Sequence, residues 1–252
     1  MTCQNCQHHF QDSYCSRCGQ HAKANKRLTF YDVSKDFFDN VFNLHKGLGF
    51  TFWQLIINPG KVGLDYIKGK RKTYTNPIRY LIIAVAIQAF LDYWFLHPEL
   101  NEQPDFMYLP FLAESVNTSM AIWNHILATK YAFIHNLSMI FVFPLAFLVL
   151  FRKLEYNFTE LLTVNFYYFS TGLILTVSSI FIGAFLIGLN LSTPVIIFIT
   201  LGYVIWSSMQ FFEAVPFWKR IFRIVLALIF FMVFRVFLLV YLLSVFFPRA
   251  TV

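Results

Sequence analysis

Four cysteines lie within the first 18 residues of this 252-residue chain, and no other cysteine follows them. They form two pairs, Cys3-x2-Cys6 and Cys15-x2-Cys18. Each C-x-x-C pair brings two thiolates onto one tight turn, and two such turns facing each other offer the tetrahedral four-sulfur set that Zn²⁺ prefers. The sequence therefore predicts a structural Zn²⁺ site, with Cys3, Cys6, Cys15 and Cys18 as ligands, in a small zinc ribbon over residues 1–27.

The spacing leaves other uses of the thiols open. Iron in a rubredoxin-like site uses the same four sulfurs. Disulfides are disfavoured if this head lies in a reducing compartment, and a thioredoxin-type redox pair would need a surrounding βαβ pattern that the sequence lacks. His8 and His9 are spare potential ligands, although a place on the hairpin surface is the simpler interpretation. So small a unit cannot build a hydrophobic core, and its fold is expected to depend on the metal.

The remainder of the chain has the composition of a membrane protein. It is 58% hydrophobic and 13% charged overall, whereas soluble domains are about 25% charged. Several apolar runs are long enough to cross a bilayer core of about 30 Å. We predict an all-α integral membrane protein whose transmembrane helical domain, 78–252, holds about five spans: 78–97, 132–151, 161–188, 194–212 and 221–247.

The distribution of Lys and Arg predicts the orientation of these spans. Most of the 20 basic residues lie in residues 1–79, whereas 98–131 holds one, Lys130, and the link 189–193 holds none. This alternation indicates a cytoplasmic N-terminus and, after five spans, an external C-terminus. The net charge of +7 then follows from topology and attraction to anionic lipid headgroups. No nucleic-acid partner is expected, since no recognition-helix or RNA-module pattern is present.

Residues 28–77 form a zone between the head and the first span. The stretch 28–44 has the pattern of an amphipathic helix, with Thr29 and Asp32 in the positions of a capping box. A short apolar helix capped by Thr51 is expected next, after a break at "GLGF". This pattern predicts amphipathic helices in the membrane interface; a small soluble helical bundle is the alternative.

A basic linker closes this zone. A further helix is predicted to begin at Asn58-Pro59, because Pro suits the first helical position, and to stop at Gly69. The cations around that stop are expected to contact anionic lipid: Lys68, Lys70, Arg71 and Lys72.

Two charges lie deep within predicted spans. Asp92 and Arg235 each fall about 20 Å along their helices, and a lone charge at mid-bilayer costs at least about 2.5 kcal/mol. Both helices run outward from the cytoplasm, so we predict an intramembrane Asp92–Arg235 pair. The alternative is that Asp92 reaches the outer headgroups while Arg235 bonds to backbone carbonyls or water.

The order of motifs carries a resemblance. "C-x-x-C…C-x-x-C-G-Q", then "NPG…Y-x-x-GKRK-x-Y-x-NP", then hydrophobic spans resembles an uncharacterised bacterial membrane-protein family with an N-terminal zinc ribbon, domain of unknown function 3667. The resemblance covers residues 3–80. It implies a zinc-ribbon head on a multi-pass protein of the bacterial cytoplasmic (inner) membrane, and it supplies no activity or catalytic residue.

The function therefore depends on the residues themselves. The sequence contains no G-x-S-x-G, H-E-x-x-H, P-loop or G-x-G-x-x-G motif, so no catalytic residue is predicted and an enzyme is not favoured. The leading hypothesis is an interaction or assembly protein that presents a cytosolic ribbon to a cytosolic protein partner. A transporter or lipid-handling protein regulated through the ribbon is the alternative. A membrane enzyme with an outer-face His/acid site is the third hypothesis. The candidate residues are His97, His125, His135, Asp92, Glu99 and Glu114.

Overall fold

The computed structural model describes residues 1–22, 28–34, 47–91, 114–129, 132–183 and 193–234. These residues are mostly helical and contain no β-strand, which confirms the helical part of the predicted fold. A 3₁₀ turn covers Arg152–Leu154. The helices are α1 (Leu48–Ile57), α2 (Pro59–Ile67), α3 (Pro77–Leu91), α4 (Glu114–Thr129), α5 (Ala132–Leu150), α6 (Phe158–Ile182), α7 (Thr193–Phe211) and α8 (Phe217–Val233).

The chain divides into two compact units. The first comprises Met1–His97 with Glu155–Ile224, and the second comprises Pro98–Leu154 with Val225–Val252. In the first unit, α6 packs against α3 and α7, and the short helices α1 and α2 pack against this group. In the second, α4 packs against α5, and Phe143 stacks on Phe231 with 4.6 Å between ring centroids.

The five predicted spans each correspond to a helix that begins within a few residues of the expected position. Among the described residues one helix, α6, is long and apolar enough to cross a membrane. In its most apolar window, 61% of the residues are buried within the protein, and the core helix of a soluble protein meets the same criterion. The structure thus contains one candidate span, and the full set of five stays a prediction.

Two local features differ from the sequence prediction. Helix α1 begins at Leu48, so Thr51 lies inside the helix and is not its cap. Instead, the buried Thr51 hydroxyl accepts the backbone N–H of Thr75 at 2.9 Å. Helix α4 was not predicted at all, because its mixed polar and apolar sequence is too polar to be recognised as a span.

Capping boxes begin two helical segments. The expected box before residues 30–34 is present: the N–H of Thr29 donates to Asp32 Oδ2 at 3.1 Å, and the N–H of Asp32 donates to Thr29 Oγ1 at 3.3 Å. The rest of the predicted helix, residues 35–44, lies outside the described residues. A second box, which the sequence reading missed, joins Asn157 and Glu160 at the start of α6. The Asn157 amide also donates to the carbonyl of Leu28 at 3.2 Å.

The break between α1 and α2 is bridged by a side chain from α7. The carbonyl of Leu55 would normally accept the N–H of residue 59, but Pro59 has no N–H. Tyr203 donates its hydroxyl to that carbonyl at 3.0 Å, in a buried position. The sequence prediction that α2 starts at Pro59 is confirmed, although Asn58 makes no side-chain cap.

The other side of the break also depends on neighbouring helices. The N–H of Gly60 donates to Gln210 Oε1 at 3.3 Å, and Tyr168 of α6 donates to the Pro59 carbonyl at 3.1 Å. A Cβ atom on Gly60 would lie 2.5 Å from the backbone carbonyl carbon of Gln210. Glycine is therefore required here, because α2 approaches the backbone of α7 so closely.

We predict that Tyr203→Phe destabilises the protein by about 1–3 kcal/mol, since it leaves the buried Leu55 carbonyl without its donor. Thermal unfolding of the purified full-length chain in detergent would measure the loss. The matched control is Tyr31→Phe, because Tyr31 is 70% exposed. Equal melting temperatures for the two variants would contradict a structural role for the Tyr203 hydroxyl.

Candidate metal centre

The four cysteine sulfurs converge on one point in the head. All four Sγ atoms lie within 4.8 Å of one another, and none of the cysteines is in a disulfide. The Cys3 and Cys18 sulfurs are 3.6 Å apart, as are those of Cys6 and Cys15. Four sulfurs at about 2.3 Å from a tetrahedral ion would be separated by roughly 3.8 Å. The cluster can therefore hold a metal ion, as predicted from the spacing.

The two cysteine turns are copies of one structural unit. The N–H of Cys3 donates to the carbonyl of His8 at 2.9 Å, and the N–H of Cys15 donates to the carbonyl of Gln20 at 2.9 Å. An antiparallel bridge flanks each turn, Thr2 with His9 and Tyr14 with His21. Every one of these contacts recurs twelve residues later in the chain. The head is thus two facing turns of the same design, each contributing two sulfurs.

The residue after each cysteine pair adopts a left-handed conformation. Gly19 has φ 69° and Gln7 has φ 61°, so the first turn uses glutamine where the second uses glycine. The N–H of Gln7 donates to the Cys3 carbonyl at 2.9 Å, and the N–H of Gly19 donates to the Cys15 carbonyl at 2.7 Å. A left-handed conformation costs roughly 1–2 kcal/mol in any residue but glycine. The first turn therefore carries strain that the second avoids.

Backbone N–H groups bond to the sulfurs of both cysteine turns, but the pKa shifts of the two turns differ. Burial raises the pKa of the Cys15 thiol, but the N–H groups of Cys18 and Arg17 bond to its sulfur and, with the neighbouring sulfurs, lower that pKa to about 7. At Cys6 the N–H of His8 acts in the same direction, yet burial and the other three sulfurs outweigh it and raise its pKa to about 12. Thiolates are the ligand form, so a cation that binds the four sulfurs would displace their protons.

The sulfurs are also the centre of the head's small apolar core. Cys3 and Cys15 are buried, and Phe10 packs with them. His8 and His9 are exposed, and His9 Nδ1 lies 3.1 Å from the Thr2 hydroxyl. Among the described residues, the cluster able to hold a metal consists of the four cysteines without a histidine.

Two hydrogen bonds join the head to the loop between α2 and α3. The Gln20 side chain is 2% exposed, and its Nε2 donates to the Gly69 carbonyl at 2.7 Å. Thr73 donates its hydroxyl to Asn5 Oδ1 at 2.6 Å. Sequence reasoning missed both contacts. Gln20 appeared only as the last letter of the "C-x-x-C-G-Q" motif, and its partner lies 49 residues further along the chain.

Asp65 on α2 stabilises the loop through two side-chain contacts. Its carboxylate accepts Lys70 Nζ at 2.9 Å and the Tyr74 hydroxyl at 3.2 Å. Burial, followed by the charge of Asp65, raises the pKa of Tyr74 to about 12, so this tyrosine remains a neutral donor. Gly69 ends α2 in a left-handed conformation with φ 99°, as the sequence predicted for the helix stop.

The predicted lipid-contacting cations occupy three different environments. Lys68 and Lys72 are exposed. Lys70 is paired with Asp65, and Arg71 is 9% exposed. The surface of the loop therefore presents Lys68 and Lys72, and contact of the four residues with anionic lipid stays a prediction.

The predicted intramembrane pair lies elsewhere in the chain. Asp92 and Arg235 are both outside the described residues. Their pairing therefore stays a prediction as well.

The segment that bears this loop matches a protein-family model. Residues 46–89 match the family described as Protein of unknown function (DUF3667). The match confirms the resemblance predicted from the motifs. It covers α1, α2, the basic loop and most of α3, while the cysteine head precedes the matched residues. No curated protein and no solved structure matches the chain. We call residues 46–89 the DUF3667 segment. The cysteine head is hydrogen-bonded to this segment at Gly69 and Thr73.

We predict that the purified full-length protein holds one metal ion per chain and that Cys15→Ser abolishes tight binding, because a tetrahedral site needs all four thiolates. Elemental analysis of protein prepared under reducing conditions would measure the stoichiometry. Ser16→Ala, an exposed neighbour, should leave the stoichiometry unchanged. A wild-type preparation without bound metal would refute the site.

The left-handed conformations of Gly19 and Gln7 predict that removing a glycine from one turn weakens metal affinity, whereas adding a glycine to the other turn strengthens it. Gly19→Ala should weaken metal affinity by about 5–30-fold, the equivalent of the roughly 1–2 kcal/mol cost of a left-handed residue. A Cβ there meets nothing within 4 Å, so the backbone alone is tested. Gln7→Gly should strengthen affinity by relieving the same strain.

Chelator competition would measure both affinities. Gly49→Ala is the matched control, because Gly49 lies in α1 with open space around it. Unchanged affinity in both turn variants would show that neither conformation limits metal binding.

Proposed function

We propose that this protein is a multi-span membrane protein that carries a zinc-bound head as an interaction module on the cytoplasmic side. The observation that supports this proposal is the attachment of the head to the rest of the protein. Four convergent sulfurs order it internally, and Gln20 and Asn5 fix it to the DUF3667 segment. We infer that contacts at both turns preorganise the surface of the head, and preorganisation lowers the entropic cost of binding a partner.

Large apolar side chains on the outside of the helices support the membrane assignment. On α8, Trp218 is 79% exposed, and further exposed apolar residues follow it along the helix. Soluble proteins rarely expose large contiguous apolar patches. With α6 as one candidate span, we propose that the five predicted spans cross the bacterial inner membrane, with the N-terminus cytoplasmic and the C-terminus external.

Helix α1 has the features of a helix that lies at the membrane interface. Phe50, Trp53 and Ile57 are exposed at helical spacing, while Thr51 and Leu55 on the opposite side are buried. Such a helix places its apolar side in the headgroup region, where tryptophan is enriched. Exposed Lys68 and Lys72 then lie in the same segment and suit contact with anionic headgroups.

Zinc is the proposed occupant of the metal centre. An all-cysteine tetrahedral set suits Zn²⁺, and a cytoplasmic head would meet this ion in a reducing compartment that keeps the thiols free. The same sulfurs also suit iron, and elemental analysis distinguishes the two. The ion would order the head and supply no reaction step.

The head offers a surface suited to a protein partner. Tyr14 is 59% exposed and contacts His21 edge to face, with 4.7 Å between ring centroids. Arg17 and His8 are also exposed. Tyrosine and arginine are enriched at binding hot spots. We propose a cytosolic protein as the partner.

The rival functions have less support. Transporters often expose backbone carbonyls at broken helices, whereas the Leu55 and Pro59 carbonyls at this break accept the hydroxyls of Tyr203 and Tyr168. These bonds support a structural role for the break. The outer-face enzyme hypothesis rests on a group of three histidines and three acids. Of these, only Glu114 has a described side chain, and it is exposed; the others are His97, His125, His135, Asp92 and Glu99. Both hypotheses stay untested proposals.

Site-specific photo-crosslinking in intact membranes tests the interaction function. We expect a photoreactive residue at Tyr14 to give one discrete protein adduct, and the adduct to disappear when Cys15→Ser removes the ordered head. The same residue at Tyr31, which is exposed outside the head, is the control. Identical adducts from both positions, or none from Tyr14, would argue against a partner of the head.

A further inference from the structure

One residue belongs to both the metal centre and the loop beneath it. The backbone carbonyl of Gln20 accepts the N–H of Cys15 at 2.9 Å, which closes the second cysteine turn. The side chain of Gln20 lies outside the ring of that bond, and its Nε2 donates to the Gly69 carbonyl at 2.7 Å. Since this side chain is buried, its position depends on how well the turn is formed.

The first cysteine turn contacts the other end of the loop. Asn5 lies between Cys3 and Cys6, and its Oδ1 accepts the Thr73 hydroxyl at 2.6 Å. Each turn therefore supplies one side chain to residues 69–73, one at each end. Between these contacts the N–H of Arg71 donates to the Gly69 carbonyl at 2.9 Å, so that carbonyl accepts both a loop donor and a head donor.

The head has few other means of holding its shape. Among the described residues its buried apolar core consists of Cys3, Phe10 and Cys15. A unit this small does not fold on hydrophobic burial alone, so metal binding supplies its order. An ion bound by both turns would hold Gln20 and Asn5 in register for the loop, since the two turns each contribute two of the four sulfurs.

We propose that metal binding at the head and the ordering of loop 69–73 are thermodynamically coupled, with Gln20 and Asn5 as positioning residues. The ion orders the turns, the turns fix both ends of the loop, and the loop presents the exposed Lys68 and Lys72 beside it. Such coupling is reciprocal: if the ion stabilises the docked loop, docking must tighten the ion by the same factor. The proposal requires the metal site, but neither a protein partner nor a particular membrane placement.

Reciprocity allows a test from outside the head. Thr73→Val changes no residue of the metal-binding turns, yet it should weaken zinc affinity about fivefold, the equivalent of about 1 kcal/mol for one hydrogen bond. Gln20→Ala should weaken zinc affinity by a similar or larger factor. Chelator competition on the full-length chain in detergent would measure both. The controls are Thr118→Val on α4 and Gln4→Ala in the head, both at exposed positions, and both should bind zinc like the wild type.

Hydrogen exchange supplies the second readout. In the wild type, removing zinc should accelerate exchange of the amides in residues 69–73. In the Gln20→Ala, Asn5→Ala double variant, exchange should already be fast with zinc bound and should change little on removal. The amides of α6 serve as the internal reference for intact folding.

The outcomes separate this inference from the metal site itself. A wild-type chain that binds no metal would refute the site, and the coupling with it. A chain that binds one ion, with unchanged affinity in Thr73→Val and Gln20→Ala and unchanged loop exchange on metal removal, would keep the site and overturn the coupling.

Discussion

The structure depends on hydrogen bonding at a helix break. Pro59 ends α1 and starts α2, and it deprives the Leu55 carbonyl of its helical donor. A buried carbonyl without a partner is costly in any solvent and most costly in lipid. Tyr203 supplies the missing donor, and Gln210, two helical turns along the same face of α7, takes the N–H of Gly60. These bonds fix α1 and α2 against the apolar helices, and the loop that follows α2 inherits its position from them.

The loop that follows α2 in turn contacts the metal centre. Helix α2 ends at Gly69, whose carbonyl faces the Gln20 amide, and Asp65 on α2 braces the loop through Lys70 and Tyr74. The DUF3667 segment thus lies between two kinds of structure. On one side are helices with apolar surfaces, ordered by packing and by tyrosine hydroxyls. On the other is a head with almost no core, ordered by its sulfurs. The segment contacts the head through the Gln20 bond to the Gly69 carbonyl and the side-chain bond between Thr73 and Asn5.

Sequence reasoning succeeded where the interaction was local. The C-x-x-C spacing, the Thr29–Asp32 capping box and the helix stop at Gly69 all depend on residues a few positions apart, and the start of α2 at Pro59 follows from the fixed φ of proline. The sequence could not identify Tyr203 as the partner of Leu55 or Gln20 as the partner of Gly69, because those pairs are 148 and 49 residues apart. A tyrosine in an apolar run looks the same whether it packs or donates. Helix α4 was not predicted, because its sequence has neither the hydrophobicity of a membrane span nor the pattern of a strongly amphipathic helix.

The basic cluster illustrates how tertiary structure redistributes a sequence signal. Four cations within five residues suggest one charged patch, yet Lys70 pairs with Asp65 and Arg71 is buried. Two of the four charges therefore belong to the architecture of the loop, and Lys68 and Lys72 remain for contacts at the surface. A loop that buries Arg71 and pairs the half-exposed Lys70 with Asp65 must hold a defined backbone to do so. Asp65 contacts the loop through Lys70 and Tyr74, and the two cysteine turns contact it through Gln20 and Asn5. By the coupling proposed above, the positions of the exposed charges therefore depend on the order of the head as well as on the loop's own sequence.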